Sequence, residues 1–295
     1  MNRAGRFEAR LSAIDVPLGN RIDQLEILYP SGLAQDGGPI RGMIRSREAT
    51  GVVVDVGYGI VGWLPGNSIG PDGCLSPPDL LDSEADLPVT IVWCGVNRAG
   101  RFEAHLSAID VPLGDRVDQL EILYPSGLAQ DGGPIRGVIE RRAWWGALVD
   151  IGFGIKGRLA ANLIGPKGCI APEGLLRDGD DLPVTIVSVI PGENGGLDIR
   201  LAAAEHDLGG RKKQLKALYP HGRAQDGGPI RGAVQQWFPW GATVGLGYGL
   251  TGTIKKEQFS EWPPPPEIPV VIVDRDVVDG ELEIELELGK LERSW

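Results

Sequence analysis

Apolar side chains recur at helical spacing in one segment of the chain, VPLGDRVDQLEILYP, where they occupy Leu113, Val117, Leu120 and Leu123. Residues three or four positions apart share one face of a helix, and a proline or glycine after the last of them stops it. Pro125 and Gly127 stand at that point. The pattern therefore predicts a short amphipathic helix from about Leu113 to Tyr124.

Beyond this helix, apolar and polar residues alternate in short runs, which is the pattern of β-strands. The predicted strands are IRGVIE, WGALVDIG, GIKGRLA, LPVTIVSVI and LDIRLA, all between residues 135 and 202. Glycine stands at the corners between them. Five short strands joined in this way favour a small closed barrel, because closure removes exposed strand edges.

The same pattern occurs three times along the chain. The segment AQDGGPIRG begins at Ala34, Ala129 and Ala224, so the module repeats every 95 residues. A fixed period of this kind marks tandem modules. Residues 2–42 and 97–137 differ only at Arg10/His105, Asn20/Asp115 and Ile22/Val117. Duplication explains this identity, and a shared binding element in the front segment is the alternative.

The repeat predicts a mainly β protein of three tandem five-stranded barrels, each preceded by a short linking helix. We place the barrels at residues 38–110, 133–204 and 228–295, the linking helices and loops at 111–132 and 205–227, and an orphan strand with a linker helix at 1–37. The orphan strand at residues 6–12 matches the last strand of the first barrel. We expect it to come from a longer array or to pair with another molecule.

Composition and charge restrict the function classes. The chain of 295 residues carries 44 glycines and 23 prolines, which suits strands and turns better than helices. Its net charge is −11, and each copy holds more acidic than basic residues. An acidic chain repels phosphate on average, which counts against a general polyanion binder but leaves room for local basic patches.

The expected compartment is the cytoplasm. No apolar run reaches the roughly 20 residues of a membrane helix, and the first residues lack a secretory signal, so we expect no membrane partner. Cys74, Cys94 and Cys169 form no CxxC pair. We interpret them as small buried side chains in a reducing compartment.

The order GxV, WGALVDIGFGIKGRL, a loop, GDDLPVTIV and a final strand resembles the RNA-binding repeat of the ribosomal protein S-one family. The segment DQLEILYPSG is similar to the helix and turn that join tandem repeats in that family. The resemblance spans nearly the whole chain, three times over. It implies OB-fold barrels that bind single-stranded RNA, stacking bases on aromatic side chains while basic side chains follow the backbone.

Under this resemblance, the second and third copies hold most of the candidate RNA contacts. The candidates are Arg141, Arg142, Trp144, Trp145, Lys156, Arg158 and Lys167 in the second copy, Trp237, Trp240, Lys255 and Lys256 in the third, and Arg101 in the first. The family's first stacking position falls at Thr50, Trp145 and Trp240, and no copy has the full family set. The alternative is that one tryptophan of each pair packs against the barrel end.

The repeated loop is a second candidate contact surface. Its recurring polar residues are Gln35, Asp36 and Arg41, then Gln130, Asp131 and Arg136, then Gln225, Asp226 and Arg231. Asp-Gly-Gly-Pro is turn chemistry, but a turn does not itself require Gln or Arg. Either the arginine bridges to the aspartate and locks the loop, or the loop contacts a protein partner.

Catalytic and cofactor signals are weak. GxGxxG recurs in every copy, as at Gly152, Gly154 and Gly157, yet no long helix or βαβ unit follows it. We interpret these glycines as tight turns between strands. The three histidines are scattered, and no metal-ligand spacing or nucleophile elbow is present. We expect no catalysis, no cofactor and no metal.

The sequence thus favours a non-catalytic single-stranded RNA-binding protein in translation or RNA metabolism, acting mainly through its second and third barrels. The ribosome or another protein is a further expected partner, and the oligomeric state stays open. The alternative is an acidic repeat scaffold that mediates protein–protein interaction. The salt dependence of binding distinguishes the two, because RNA binding weakens steeply with salt.

Overall fold

The computed structural model describes residues 21–82, 86–96, 102–192, 196–279 and 281–289. The chain divides into two compact units, Met1–Gln119 and Leu120–Trp295. The first unit contains one barrel and the second unit contains two. The proposed orphan strand at residues 6–12 and the candidate contact Arg101 lie outside the described residues.

The first unit begins its described part with helix α1 (Arg21–Leu28). Barrel 1 consists of β1 (Ile40–Glu48), β2 (Gly51–Gly57), β3 (Ile60–Pro65), β4 (Asp86–Val96) and β5 (Phe102–Ser107). Shorter helical segments are the 3-10 turns Pro30–Gly32 and Gly66–Ser68 and the helix α2 (Pro77–Leu80). Helix α3 (Arg116–Leu123) contains the division between the units.

The second unit holds the other two copies. Barrel 2 consists of β6 (Ile135–Ala143), β7 (Gly146–Gly152), β8 (Ile155–Ile164), β9 (Asp181–Pro191) and β10 (Leu197–Ala203), with helix α4 (Pro172–Leu175) between β8 and β9. Helix α5 (Arg211–Leu218) then leads to barrel 3, which consists of β11 (Ile230–Phe238), β12 (Gly241–Gly247), β13 (Leu250–Lys255), β14 (Glu267–Val278) and β15 (Glu281–Leu288). The 3-10 turns are Pro125–Gly127, Pro220–Gly222 and Lys256–Gln258.

All three barrels close with one strand order. The first strand of each pairs antiparallel with the second and the fourth, and the third pairs parallel with the fifth. This closed five-stranded arrangement is that of OB-type barrels and leaves no open sheet edge. The predicted fold class, three five-stranded barrels each preceded by a short helix, is confirmed.

The linking helix is shorter than the apolar spacing predicts. Helix α3 begins at Arg116 rather than near Leu113, because the Asp115 carboxylate accepts hydrogen bonds from the backbone N–H groups of Val117 and Asp118, at 2.8 and 2.9 Å. A side chain that caps the first free N–H groups fixes the start of a helix. The cap therefore overrides the longer apolar stripe.

The tight-turn interpretation of the GxGxxG glycines holds for the first two glycines but not for the third, which lies within a strand. In copy two, Gly152 and Gly154 have φ of 99° and 72° and form the turn between β7 and β8. A Cβ on Gly157 would lie 2.7 Å from the side chain of the buried Leu201 on β10. The first two glycines thus permit the turn, and the third permits close packing of two strands.

In the second unit, helix α5 links barrels 2 and 3. A side chain of the helix is hydrogen-bonded to barrel 2, and the tyrosine that follows the helix is hydrogen-bonded to barrel 3. The side chain of Gln214 accepts a hydrogen bond from the N–H of Ile170 at 2.8 Å and donates one to the carbonyl of Gly168 at 3.0 Å. Tyr219, immediately after the helix, donates its hydroxyl hydrogen to the carbonyl of Leu246 in barrel 3. Polar side chains therefore attach this segment to both barrels of the second unit.

Across the described ranges, each helix is too short or too polar to span a bilayer.

Candidate nucleic-acid interface

One line of outward-facing residues crosses the surface of each barrel, with one residue from every strand. We call it the cross-strand row, and the strand register defines its members. The row of barrel 1 is Ser46, Val53, Trp63, His105 and Trp93. The row of barrel 2 is Arg141, Leu148, Arg158, Arg200 and Ser188. The row of barrel 3 is Gln236, Thr243, Thr253, Glu285 and Asp274.

The row of barrel 1 is aromatic. Trp93 is 51% exposed and meets His105 edge-on, with ring centroids 5.1 Å apart. The indole of Trp63 lies over Gly51, and that of Trp93 lies over Gly95; a Cβ on either glycine would come within 2.5 Å of the ring. Glycine beside each indole lets the ring lie close to the sheet. Such a surface suits stacking of a planar ligand.

The row of barrel 2 is cationic. Arg158 and Arg200 share the carboxylate of Asp198, with Nε of Arg158 at 2.9 Å and Nε of Arg200 at 4.0 Å. The exposed Arg141 makes no ion pair within the described part of the chain. Arg158 and Arg200 share one carboxylate and Arg141 has none, so the row keeps a positive charge.

The row of barrel 3 carries carboxylates. Asp274 and Glu285 belong to it, and Glu283 lies beside them in a groove of about 500 Å³ that also contacts Trp240. Lys255, whose Nζ lies 2.6 Å from Glu285, and Arg275, which also lines the groove, neutralise only part of this charge. Carboxylates repel the phosphates of a nucleic acid. The three copies therefore share one fold but present three different surfaces.

The two tryptophans predicted as stacking residues in copy two differ in exposure. Trp144, at the turn between β6 and β7, is 80% exposed, whereas Trp145 is half-buried. Trp144 lines a groove of about 620 Å³ together with Pro172 and Tyr248. Trp144 is therefore the member of this pair that a ligand reaches directly.

In copy three, the predicted contacts belong partly to an aromatic cluster within the protein. Trp237 meets Trp262 edge-on at 6.3 Å, and Nζ of Lys256 lies 5.6 Å from the centre of the Trp262 ring. Trp240 stacks on Phe238 at 5.1 Å and is 55% exposed. The intramolecular contacts of Trp237 and Lys256 stabilise the barrel surface.

Several predicted basic contacts are engaged by nearby acceptors. Arg142 donates to Asp178 at 2.8 Å and to the carbonyls of Glu173 and Leu176 at 2.9 and 2.7 Å, so it ties helix α4 to β6. Lys156 pairs with Glu140 at 2.6 Å. Arg142 and Lys156 thus have structural partners that the interleaved basic pattern alone does not reveal.

The repeated loop is held by its own side chains. The Gln130 amide donates hydrogen bonds to the carbonyls of Ile122 and Leu123, at 2.6 and 2.9 Å, near the end of the linking helix. Asp131 accepts one from the N–H of Gly133 at 2.9 Å. Gln35, Asp36, Gln225 and Asp226 make the equivalent bonds.

The loop arginines do not bridge to the loop aspartates as the locking hypothesis supposed. Arg136 pairs with Asp181 on β9 at 2.6 Å, and Arg41 lies 3.8 Å from Asp86 on β4. Arg231 has no ion pair among the described residues. In the first two copies, the strand register brings the aspartate of the fourth strand next to the loop arginine. The loop aspartate is already hydrogen-bonded within the turn.

Sequence reasoning missed Trp63, Trp93, His105 and Arg200 as candidate contacts. The signal for Trp63, His105 and Arg200 is the alternation along β3, β5 and β10, in which each lies between buried neighbours. Trp93 follows the exposed Val92 after a register shift on β4, so alternation does not reveal it. Outward positions on separate strands join into one surface only when the barrel closes. Reading the motif of the second strand alone does not reveal them.

Within the described residues, no group of three or more His, Cys, Asp or Glu side chains could hold a metal ion. Cys74 and Cys169 are buried, and burial raises the pKa of each thiol to about 11. A thiol with a raised pKa is a poor nucleophile.

No known family model matches the sequence, and no curated protein is similar to it at a significant level. One solved structure that is similar is that of a multidomain protein with nucleic acid binding domains from Streptococcus pneumoniae TIGR4. The two chains are 13% identical, with 87% of this chain and 74% of that one covered, and the TM-score is 0.20. A superposition this poor carries no functional conclusion, so the function has to be argued from the residues of this chain.

Proposed function

We propose that this protein binds single-stranded RNA without catalysis, through the cross-strand rows of barrels 1 and 2. The observation that carries the proposal is that the row positions on the third and fifth strands hold Trp63 and His105 in barrel 1 but arginines, Arg158 and Arg200, in barrel 2. Stacking and phosphate neutralisation are the two interactions by which barrels of this type hold a single strand. The proposed roles follow from these two chemistries.

In barrel 1, Trp63, Trp93 and His105 stack on bases, and each stacked base contributes about 1–3 kcal/mol. In barrel 2, Arg141, Arg158 and Arg200 neutralise phosphates by charge-assisted hydrogen bonds. Stacking is tolerant of sequence because every base has a planar face. We therefore propose weak sequence preference.

Barrel 1 thus takes the place of barrel 3 as a proposed RNA-binding barrel. The sequence favoured barrels 2 and 3 because their tryptophans are clustered, but the row of barrel 3 exposes Asp274 and Glu285. Like charge on the ligand and the row weakens association. A cytoplasmic role in translation or RNA metabolism, with the ribosome as a further partner, remains part of the proposal on the strength of the S-one resemblance.

The test is an anisotropy titration of a labelled oligouridylate of about 15 nucleotides, long enough to span one barrel. Trp93→Ala is expected to weaken binding by about tenfold, the loss of one stacked base. Trp240→Ala is the matched control, because Trp240 is similarly exposed but belongs to the acidic barrel. Equal affinities for wild type and Trp93→Ala would contradict the stacking role.

A second candidate function is an acidic scaffold for a basic protein partner. The observation that favours it is the carboxylate-lined groove of barrel 3, where Asp274, Glu283 and Glu285 lie beside Trp240. Cations interact favourably both with carboxylates and with indole faces. Binding of a basic peptide by wild type, lost in Trp240→Ala, together with no RNA binding, would support the scaffold over the RNA-binding protein.

A further inference from the structure

The junction between barrels 2 and 3 has reversed its charge relative to the equivalent positions one copy earlier. Asp72, Asp115, Val117, Asp118 and Glu121 are replaced by Lys167, Gly210, Lys212, Lys213 and Lys216, respectively. Arg211 is kept from Arg116. This change occurs in a chain whose net charge is −11, so it runs against the overall composition.

These cations gather around one cavity in the second unit. Lys167, Arg211 and Lys212 line a cavity of about 550 Å³, together with Asp276 and Val277 of barrel 3. Lys213 and Lys216 lie on the same helix within a turn of them and are exposed. We call the five basic residues Lys167, Arg211, Lys212, Lys213 and Lys216 the junction patch.

Most of the positive charge of the junction patch is not neutralised. Lys212 pairs with Asp276 at 2.6 Å, and this contact lowers the pKa of the Asp276 carboxyl. Lys167 and Arg211 have no ion pair within the described ranges. The cavity therefore keeps a net positive charge.

The fold alone does not account for the junction patch. Cations in the first turn of a helix interact unfavourably with its dipole, and Asp115, which caps α3, is replaced by Gly210 with no side-chain cap on α5. The buried contacts of the helix are otherwise unchanged, since Gln214 binds its loop as Gln119 does. Copy three thus gives up favourable helix electrostatics and gains a positive surface.

We propose that the junction patch binds the phosphates of the single strand held by barrel 2, carrying the chain of contacts toward barrel 3. This inference rests on the proposed function. Lys167 and Arg211 supply the unpaired charges, and the cavity between them leaves room for a phosphate group. A cationic track beyond the row compensates for the acidic face of barrel 3.

The test compares the salt dependence of oligouridylate binding in two full-length double variants. Lys167→Ala/Arg211→Ala is expected to reduce the slope of log Kd against log salt by about 0.7 for each cation removed. Arg177→Ala/Arg223→Ala is the matched control, since it removes the same charge from two exposed arginines outside the rows, the junction patch and the candidate contacts. The control is expected to leave the slope unchanged.

The outcomes distinguish failure of the junction patch from failure of the proposed function. Equal slopes for both double variants and wild type, with binding still weakened by Trp93→Ala, would overturn the role of the junction patch and leave the proposed function intact. Absence of RNA binding by wild type would overturn both. Binding of labelled polyglutamate by wild type that is lost in Lys167→Ala/Arg211→Ala, together with an unchanged salt slope for RNA in that variant, would assign the patch to an acidic polypeptide and overturn it as an RNA contact.

Discussion

The hydroxyl of Tyr219 donates a hydrogen bond to the backbone carbonyl of Leu246, near the end of β12 in barrel 3. Tyr29 and Tyr124 make the same bond to Val56 and Ile151, each 27 residues further along the chain. Each tyrosine is buried beside the turn that follows its linking helix. This contact joins the linker to the second strand of the barrel in every copy.

Alkaline pH is expected to destabilise the protein through Tyr219. Burial, with a smaller contribution from the Tyr248 side chain, raises the pKa of Tyr219 to about 12 in the folded state. An unfolded tyrosine ionises near 10, so the stabilisation present below about pH 10 is lost as the pH rises toward 12. Tyr219→Phe should cost about 1 kcal/mol at neutral pH and should show a smaller further loss above pH 10. Urea midpoints across this range measure both effects.

The control for this experiment is Tyr58→Phe, since Tyr58 is an exposed tyrosine in barrel 1. It is expected to leave the neutral stability nearly unchanged. A Tyr219→Phe variant with the same alkaline decline as wild type would show that other groups dominate the pH dependence.

Gln214→Leu is expected to destabilise the second unit by about 2 kcal/mol. Gln214 is 1% exposed, and its removal leaves the N–H of Ile170 and the carbonyl of Gly168 without partners. An unpaired buried polar group costs about 1–3 kcal/mol. Chemical denaturation measures the change. Gln225→Leu, at an exposed glutamine that also bonds two carbonyls, should cost less; a larger cost for Gln225→Leu would refute this account.

One thiol of the three is expected to react rapidly in the native protein. Cys74 and Cys169 are buried and their pKa values are about 11, so few thiolates form at mildly alkaline pH. Cys94 on β4 is only partly buried. Titration with a disulfide reagent should therefore show one fast equivalent, which Cys94→Ser abolishes, and three equivalents in denaturant. Two fast equivalents would contradict the burial of the other thiols.

Gly157→Ala is expected to destabilise barrel 2 by about 1–3 kcal/mol through overpacking. The added methyl would lie 2.7 Å from Leu201, which is buried in the barrel core. Gly196→Ala is the control, because a Cβ there meets nothing within 4 Å. Thermal unfolding measures the difference, and equal melting temperatures for the two variants would exclude a packing role for Gly157.

The elements were predictable because their signals are local. Alternation along β6 to β10 and the periodic leucines of the linking helix each lie within a few turns of chain. The four-residue helix α4, by contrast, is too short to produce a period, so periodicity does not reveal it.

The surface was less predictable because long-range register creates it. Trp63 and His105 meet only when β3 pairs with β5, and Arg158 finds Asp198 40 residues away. The loop glutamines illustrate the same limit, since their recurrence is visible in sequence but their helix carbonyl partners are not. Patterns along the chain reveal which face a residue occupies, and pairing between strands reveals its neighbours.

The cross-strand rows show how duplication has partitioned this polypeptide. Inward positions such as Val54, Val149 and Val244 are the same residue in all three copies, while most positions of the outward rows differ in chemistry. The residues that form the barrel core and the residues that form the outer surface thus alternate along the same strands, and the two sets can change independently. Grafting the five row residues of one barrel onto another, together with the glycines that lie under its indoles, is therefore expected to transfer the ligand preference.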